Sequence, residues 1–270
     1  MKYCRFELNG ESGYALVESV AGHDTITRRL IKPPEEADDS LEDLPSKRLT
    51  PIPLTEAHLL VPVRPSKIVC VGRNYREHAT ELGNEVPAEP LIFFKPPSSL
   101  LAPGGNIVRP RLSQRVDHEA ELGVVIGKAC HKLADDADVR PFILGYTCVN
   151  DVTARDLQKK DAQWTRAKGF DTFCPSGPLV SDELDPWAGV TIQARVNGEL
   201  RQDGNTRDFL FPLDAVIRYI SQAMTLLPGD LIATGTPSGV GPLVAGDVVE
   251  VSVQGVGTLA NAVADEVAGG

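Results

Sequence analysis

Short apolar runs, broken by Gly, Pro or Asn-Gly, recur along the chain and predict strands far more often than helices. Residues 67–72, 91–95, 120–127 and 142–149 are such runs. Residues 190–196 and 200–202 flank Asn197-Gly198, a strong hairpin signal. Residues 230–234 and 248–253 complete the set, the latter with Val249, Val251 and Val253 alternating with Glu250 and Ser252. That period of two marks a half-buried strand. Weaker strand-like pieces lie at 3–8, 14–20 and 25–31. Helical spacing is scarcer. Residues 213–227 are apolar at 213, 216, 217, 220, 224 and 227, and Pro228-Gly229 stops them. A short helix is predicted after Asn74, which can cap, with Glu77 three residues on and Gly83 at its end. Another is predicted to start near Thr153, since Thr153 and Asp156 have capping-box spacing. Strands do not alternate with long helices, so the expected class is a β-rich α+β fold and not a doubly wound parallel sheet.

The stretch PPEEADDSLEDLPSKRLTP reads as a solvated linker, rich in Pro and acids and weakly periodic. A boundary is placed near 55–65, with a small N-terminal domain over 1–60 and the main core over 61–270. The composition is that of a globular protein, 42% hydrophobic and 24% charged. A net charge of −10 argues against nucleic-acid binding, which needs a basic face. No apolar run is long enough for a membrane span, and the opening MKYCRFELNGES is charged where a signal peptide is apolar. The five cysteines, Cys4, Cys70, Cys130, Cys148 and Cys174, are scattered without a CxxC, which suggests neither disulfides nor a zinc site. A cytoplasmic protein is expected.

Three segments carry candidate chemistry. In Asp117-His118-Glu119-Ala120-Glu121, strand spacing puts Glu119 and Glu121 on one face. Two buried like charges are expensive unless a hard divalent cation takes their oxygens. The alternative is an edge strand with both glutamates in water. Asp151 follows another apolar run and can complete a facial set of three oxygens, with Arg155 and Gln158 on the helix beyond; alone it reads equally as a turn residue. His78 and Glu81 lie three apart on one helix face. A carboxylate beside a histidine fixes its tautomer and raises its basicity, although such pairs also occur on solvated helices. Lys168 sits in an apolar and aromatic setting suited to a carboxylate or oxyanion, and Thr234 to Gly241 can present N–H groups and a hydroxyl to an anion. GxGxxG, GxSxG and HExxH are absent.

Taken in order, GRNYREHATE, HEAELGVVIG, NDVTARDLQ, WTRAKGFDTFCPSGP, the NGELRQ hairpin and LLPGDLIATGTPSGVGPL resemble the fumarylacetoacetate hydrolase family over roughly residues 60–263. The resemblance implies a mixed β-sandwich or roll, a homodimer, and one Mg²⁺ or Mn²⁺ per chain. It also implies a small 2-oxo acid as substrate. Family members include acylpyruvate and fumarylpyruvate hydrolases, oxaloacetate decarboxylases, and isomerases of 2-hydroxy-diene dioates in aromatic catabolism. Residues 1–60 resemble the small N-terminal domain of many bacterial members. True fumarylacetoacetases are longer and carry an additional metal-site Asp where this chain has Gly72 to Tyr75, so a smaller relative is implied. Glu119, Glu121 and Asp151 match the family's metal ligands, His78 and Glu81 its water-activating pair, and Lys168 the lysine that steadies the substrate oxygen. Arg73, Tyr75, Arg155, Gln158 and Thr236 fall in substrate-pocket motifs.

A metal ion acting as Lewis acid on a chelated 2-oxo acid stabilises an enolate at C3. Water attack at a C4 carbonyl then gives hydrolysis, loss of a C4 carboxylate gives decarboxylation, and proton movement gives isomerisation. The His–Glu pair tilts the expectation toward C–C hydrolysis of 2,4-dioxo acids, with the isomerase and the oxaloacetate decarboxylase as alternatives. A different class, a cation-stabilised binding module, predicts a metal closed off by protein and a surface-facing His78.

Overall fold

Alternating burial in the first thirty residues produces a meander. In the computed structural model, which describes residues 1–36, 44–81, 83 and 85–267, β1 (Lys2–Leu8), β2 (Glu11–Val20) and β3 (His23–Leu30) pair antiparallel in turn. Asn9-Gly10 joins the first pair with both φ angles positive (54° and 79°), the two-residue turn whose twist matches the strands. The polar stretch that reads as a linker ends instead in a strand, β4 (Ser46–Pro53), which pairs with β3. Leu49 and Ile52, packed against the core, explain why it folds back; residues 37–43 lie outside the described residues. β5 (His58–Leu60) returns onto β1.

The chain then runs through β6 (Ile68–Gly72), α1 (Arg76–Glu81), β7 (Leu91–Lys95), β8 (Leu100–Leu101), β9 (Asn106–Arg109), β10 (Val116–His118) and β11 (Ala120–Ile126). β12 (Ile143–Asn150), β13 (Thr153–Ala154), α2 (Arg155–Lys160), α3 (Thr165–Lys168) and β14 (Cys174–Ser181) follow. Last come the hairpin β15 (Thr191–Val196) and β16 (Glu199–Asn205), α4 (Leu213–Ala223), β17 (Leu231–Ala233), β18 (Gly241–Pro242), β19 (Val248–Val253) and β20 (Gly257–Asp265).

The large mixed sheet has the order β4-β3-β2-β1-β14-β12-β11-β17-β6-β7, so the N-terminal strands join it through β1 and β14, where Tyr3 faces Val180. A five-stranded sheet, β16-β15-β19-β20-β9, is separate, and β13-β10-β18 form a third. This is the β-rich α+β class read from the pattern. β11 is buried along its whole length, and after Glu121 its sequence is a continuous apolar run from Leu122 to Ile126. Leu122, Val124 and Ile126 enter one core with Ile192, Val251, Leu259 and the α4 residues Val216, Ile217 and Ile220. Val125, from the other face, joins Ile68, Cys70, Val149 and Leu231. The five cysteines are free and buried. Among the described residues no helix is long and apolar enough to cross a membrane.

Three helix expectations need correction. α4 stops at Ala223 and not near Leu227, because Leu226 exchanges backbone hydrogen bonds with Cys130. Asn74 does not cap α1. Its amide donates to the carbonyls of Phe211 and Thr234 and accepts from Phe211 N–H, which ties three segments together. The helix predicted near Thr153 is present and starts at Arg155, but its capping box does not form, since Thr153 and Ala154 pair as β13, the Thr153 hydroxyl donates to the Asp151 carbonyl, and Asp156 accepts from Ser113 and Gln114.

The parallel pairing of β6 with β17 depends on one buried carboxylate. Asp230 accepts hydrogen bonds from Ser66 N–H (3.0 Å), the Ser66 hydroxyl (2.7 Å), Lys67 N–H (3.2 Å) and Leu227 N–H (2.8 Å), and pairs with the Lys67 ammonium. Asp230→Ala strands these donors, so urea denaturation should show a loss of about 3 kcal/mol. A loss under about 1 kcal/mol would mean that the clamp is dispensable.

Candidate active site

Glu119 and Glu121 stand at the N-terminal end of β11, and Asp151 follows β12, which pairs with it (Ala120 opposite Asn150). The junction is pinned by Asp151 N–H donating to the Glu119 carbonyl (2.8 Å) and by Glu119 N–H donating to the Asn150 side chain (2.9 Å). One carboxylate oxygen from each of the three acids lies within 4.8 Å of the others, and all three residues are buried. The two glutamates share a face as their spacing predicts, and the solvated-edge alternative does not hold.

Three buried cations surround these acids. Lys168 Nζ lies 2.8 Å from Glu119 and 2.6 Å from Asp151, Lys95 Nζ lies 2.6 Å from Asp151, and Arg155 Nη2 lies 2.6 Å from Glu119. Arg155 also pairs with buried Asp117 and donates to Gln158. Burial opposes ionisation of Glu119, but Lys168 and Arg155 outweigh it and hold its carboxyl well below the usual range. Glu121 differs. Among the described residues its carboxylate accepts one hydrogen bond, from Gly235 N–H at 2.8 Å, and has no cation partner. Burial, Asp151 and Glu119 push its pKa well above the ordinary carboxylate value. Gly235 is a fixed requirement there: its φ is +100°, and an added Cβ would lie 2.6 Å from the Asn74 Cβ. The all-oxygen donor set, with one buried acid lacking a counter-charge, fits a hard divalent cation such as Mg²⁺ or Mn²⁺.

The acids form the floor of a cavity of about 160 Å³. Arg73, His78, Arg155, Gln158, Lys168 and Thr236 line it with them. Tyr75 and Glu81 do not. The Tyr75 ring packs edge-on against Phe209 with centroids 5.2 Å apart. Glu81 stands behind His78, 3.4 Å from Nδ1, and accepts from Gly239 N–H. The Thr236 hydroxyl donates to the Ala120 carbonyl and accepts from Gln202, so it braces β11. Burial lowers the pKa of His78 below its usual value, which keeps the imidazole neutral at pH 7.

Several groups at the site escape a reading by motif. Lys95 ends the apolar run LIFFK, and the one available signal is a charge where a strand enters the core. Trp164 and Phe93 pack edge-on at 5.2 Å and wall the cavity, with Lys168 Nζ 5.1 Å from the Phe93 centroid. Lys159 adds a further positive charge at its lining.

A model of the fumarylacetoacetate (FAA) hydrolase C-terminal domain matches residues 67–264. The oxaloacetate tautomerase YisK of Bacillus subtilis is 38% identical over 271 residues, 95% of this chain and 88% of that protein. The mitochondrial oxaloacetate decarboxylase of Dictyostelium discoideum is 46% identical over 198 residues, 71% of this chain and 90% of that one. The crystal structure of 2-hydroxyhepta-2,4-diene-1,7-dioate isomerase from Mycobacterium marinum is 39% identical and superposes with a TM-score of 0.86, covering 98% of this chain and 99% of that chain.

Glu121→Gln separates the two loads on this residue. The amide removes an uncompensated buried charge, so the melting temperature of the metal-free protein should stay level or rise. Mn²⁺ affinity, measured by electron paramagnetic resonance, should fall on the order of a hundredfold, because a neutral amide is a poor replacement for a carboxylate on a hard cation. Unchanged Mn²⁺ affinity would remove Glu121 from the ligand set.

Proposed function

The chain belongs to the fumarylacetoacetate hydrolase family, and from that premise we propose that it is a divalent-metal-dependent enzyme that moves a proton at C3 of short 2-oxo acids of the oxaloacetate type. The observation that carries this reading is the neutral, buried His78 lining the same small cavity as Glu119, Glu121 and Asp151. Those three residues would hold one Mg²⁺ or Mn²⁺, which when bound supplies Lewis-acid polarisation of the 2-oxo group. The names of the tautomerase and decarboxylase relatives agree with a short dicarboxylic 2-oxo acid.

The chain's own residues supply the rest. Imidazole with its proton on Nδ1, toward Glu81, presents Nε2 as the base for a C3 proton. Lys168 is held protonated, because Asp151 and Glu119 outweigh the effect of its burial, and it faces the cavity. Its ammonium can steady negative charge on a substrate oxygen without giving up its proton. Arg73 and Lys159 line the same cavity and can receive the second carboxylate. Phe93 and Trp164 line another part of the wall and limit water there. Returning the proton to C3 or to the oxygen completes a tautomerisation. Loss of the C4 carboxylate needs no base.

C–C hydrolysis of acylpyruvates is the second reading, and the His78–Glu81 pair favours it, since the same base can deprotonate water beside a C4 carbonyl. His78→Ala should lower C3 proton exchange, and any acylpyruvate cleavage, on the order of a hundredfold. Oxaloacetate decarboxylation should persist to a greater degree. Proton exchange followed by NMR in D₂O, together with pyruvate and CO₂ release, gives the ratio in each variant. Equal loss of all activities at saturating substrate would contradict the role of His78 as base. The pH profile gives a separate check. A base whose pKa is lowered stays neutral further into acid, so the acid limb of kcat/KM should lie below the ordinary imidazole value of about 6.5. A limb above that value would contradict the assignment.

A further inference from the structure

The strands of residues 1–60 contribute nothing to the cavity above, yet they enclose a cleft of about 540 Å³ lined by Arg5, Arg29, Lys32, Lys47 and Arg64. Five cations around one cleft are unexpected in a chain of net charge −10. The strand register helps to impose the crowding, because Arg29 lies directly opposite Lys47 where β3 meets β4. Like charges so placed are destabilising unless something neutralises them. Among the described residues two carboxylates come near. Glu11 lies 3.3 Å from Arg29 at the exposed rim. Glu35 is half-buried and within the field of Arg5 and Arg64, but forms an ion pair with neither. Among the described residues Arg5, Lys32, Lys47 and Arg64 have no ion-pair partner. Burial and the Arg64 guanidinium lower the pKa of Arg5, with Tyr14 and Glu35 acting against them.

A second feature has the opposite polarity problem. Tyr14 lines the cleft, and among the described residues its buried hydroxyl has no hydrogen-bond partner. An orphaned buried hydroxyl costs free energy, and an acceptor oxygen in the cleft would satisfy it. Gly13 beside it makes room, since a Cβ there would lie 2.9 Å from Arg29 Nε. We propose that this cleft binds a small multivalent oxyanion, a compound carrying two or more phosphate or carboxylate groups, through the guanidinium groups of Arg5, Arg29 and Arg64 and the hydroxyl of Tyr14. Guanidinium forks match the paired oxygens of either group. The site is separate from the catalytic cavity and independent of the reaction assigned to it.

Isothermal titration of the full chain with inorganic pyrophosphate and with citrate, in low salt without added divalent metal, tests this. One equivalent should bind, and affinity should fall as NaCl is raised. Arg64→Ala and Tyr14→Phe should each weaken binding by about tenfold. Arg73→Ala, in the catalytic cavity, should leave it unchanged. Tyr14→Phe removes only the orphaned hydroxyl, so the ligand-free melting temperature should stay level or rise, and weaker binding in that variant is then no sign of misfolding. Tighter binding of pyrophosphate assigns a phosphorylated ligand, and tighter binding of citrate a polycarboxylate. Absence of binding by both anions, or wild-type affinity in both Arg64→Ala and Tyr14→Phe, overturns the proposal.

Discussion

Charge balance among buried groups governs the centre of this protein. Asp117, Glu119, Glu121 and Asp151 are buried acids, while Lys95, Arg155 and Lys168 are the buried cations facing them. Counting buried groups alone, with the half-exposed Arg115 on Asp117 left aside, the acids exceed the cations by one, and Glu121, which has no cation partner among the described residues, is the one whose pKa is driven upward. With a divalent cation the balance reverses to one positive charge in excess. An anionic ligand would neutralise that excess. The same arithmetic favours a histidine over an acid beside the cluster: burial keeps His78 neutral, whereas another carboxylate would deepen the imbalance.

Such a cluster stands only on a rigid frame. β11 is held on one side by β12 and on the other by β17, whose entry is clamped by Asp230. Gln202 fixes the end that bears the acids. Its carbonyl oxygen accepts from Ala120 N–H (2.9 Å) and contacts His118, and its amide donates to Thr236 and to the Pro237 carbonyl. The hairpin is thereby tied both to the site strand and to the loop that supplies Gly235.

Strand spacing made Glu119 and Glu121 legible as a same-face pair, and the alternation at 249–253 made β19 legible, because both patterns are local. The Asn197-Gly198 turn was legible for the same reason, with φ positive at both residues. What failed was non-local. Asn74 looked like a helix cap, but its amide is committed to Phe211 and Thr234, far along the chain. The helix read to Leu227 yields to a bridge with Cys130. β14 and β20 went unread because CPSGPLVS and GTLANAVAD mix Gly, Pro and small residues whose strand character comes from the neighbours they pair with. Lys95 and Gln202 carry no motif, and only the folded chain shows what they hold.

The acids, the cations and His78 form one assembly, and under the proposed function the cavity beside it would hold a cation and a short anionic acid. Crystals grown with Mn²⁺ and oxalate, an inert mimic of the carboxylate and 2-oxo oxygens, test this most directly by anomalous diffraction at the manganese edge. The account predicts one manganese peak at bonding distance from Glu119, Glu121 and Asp151, with oxalate completing its coordination on the side facing His78. A peak elsewhere, or a manganese ion closed off by protein ligands with oxalate excluded, would contradict it.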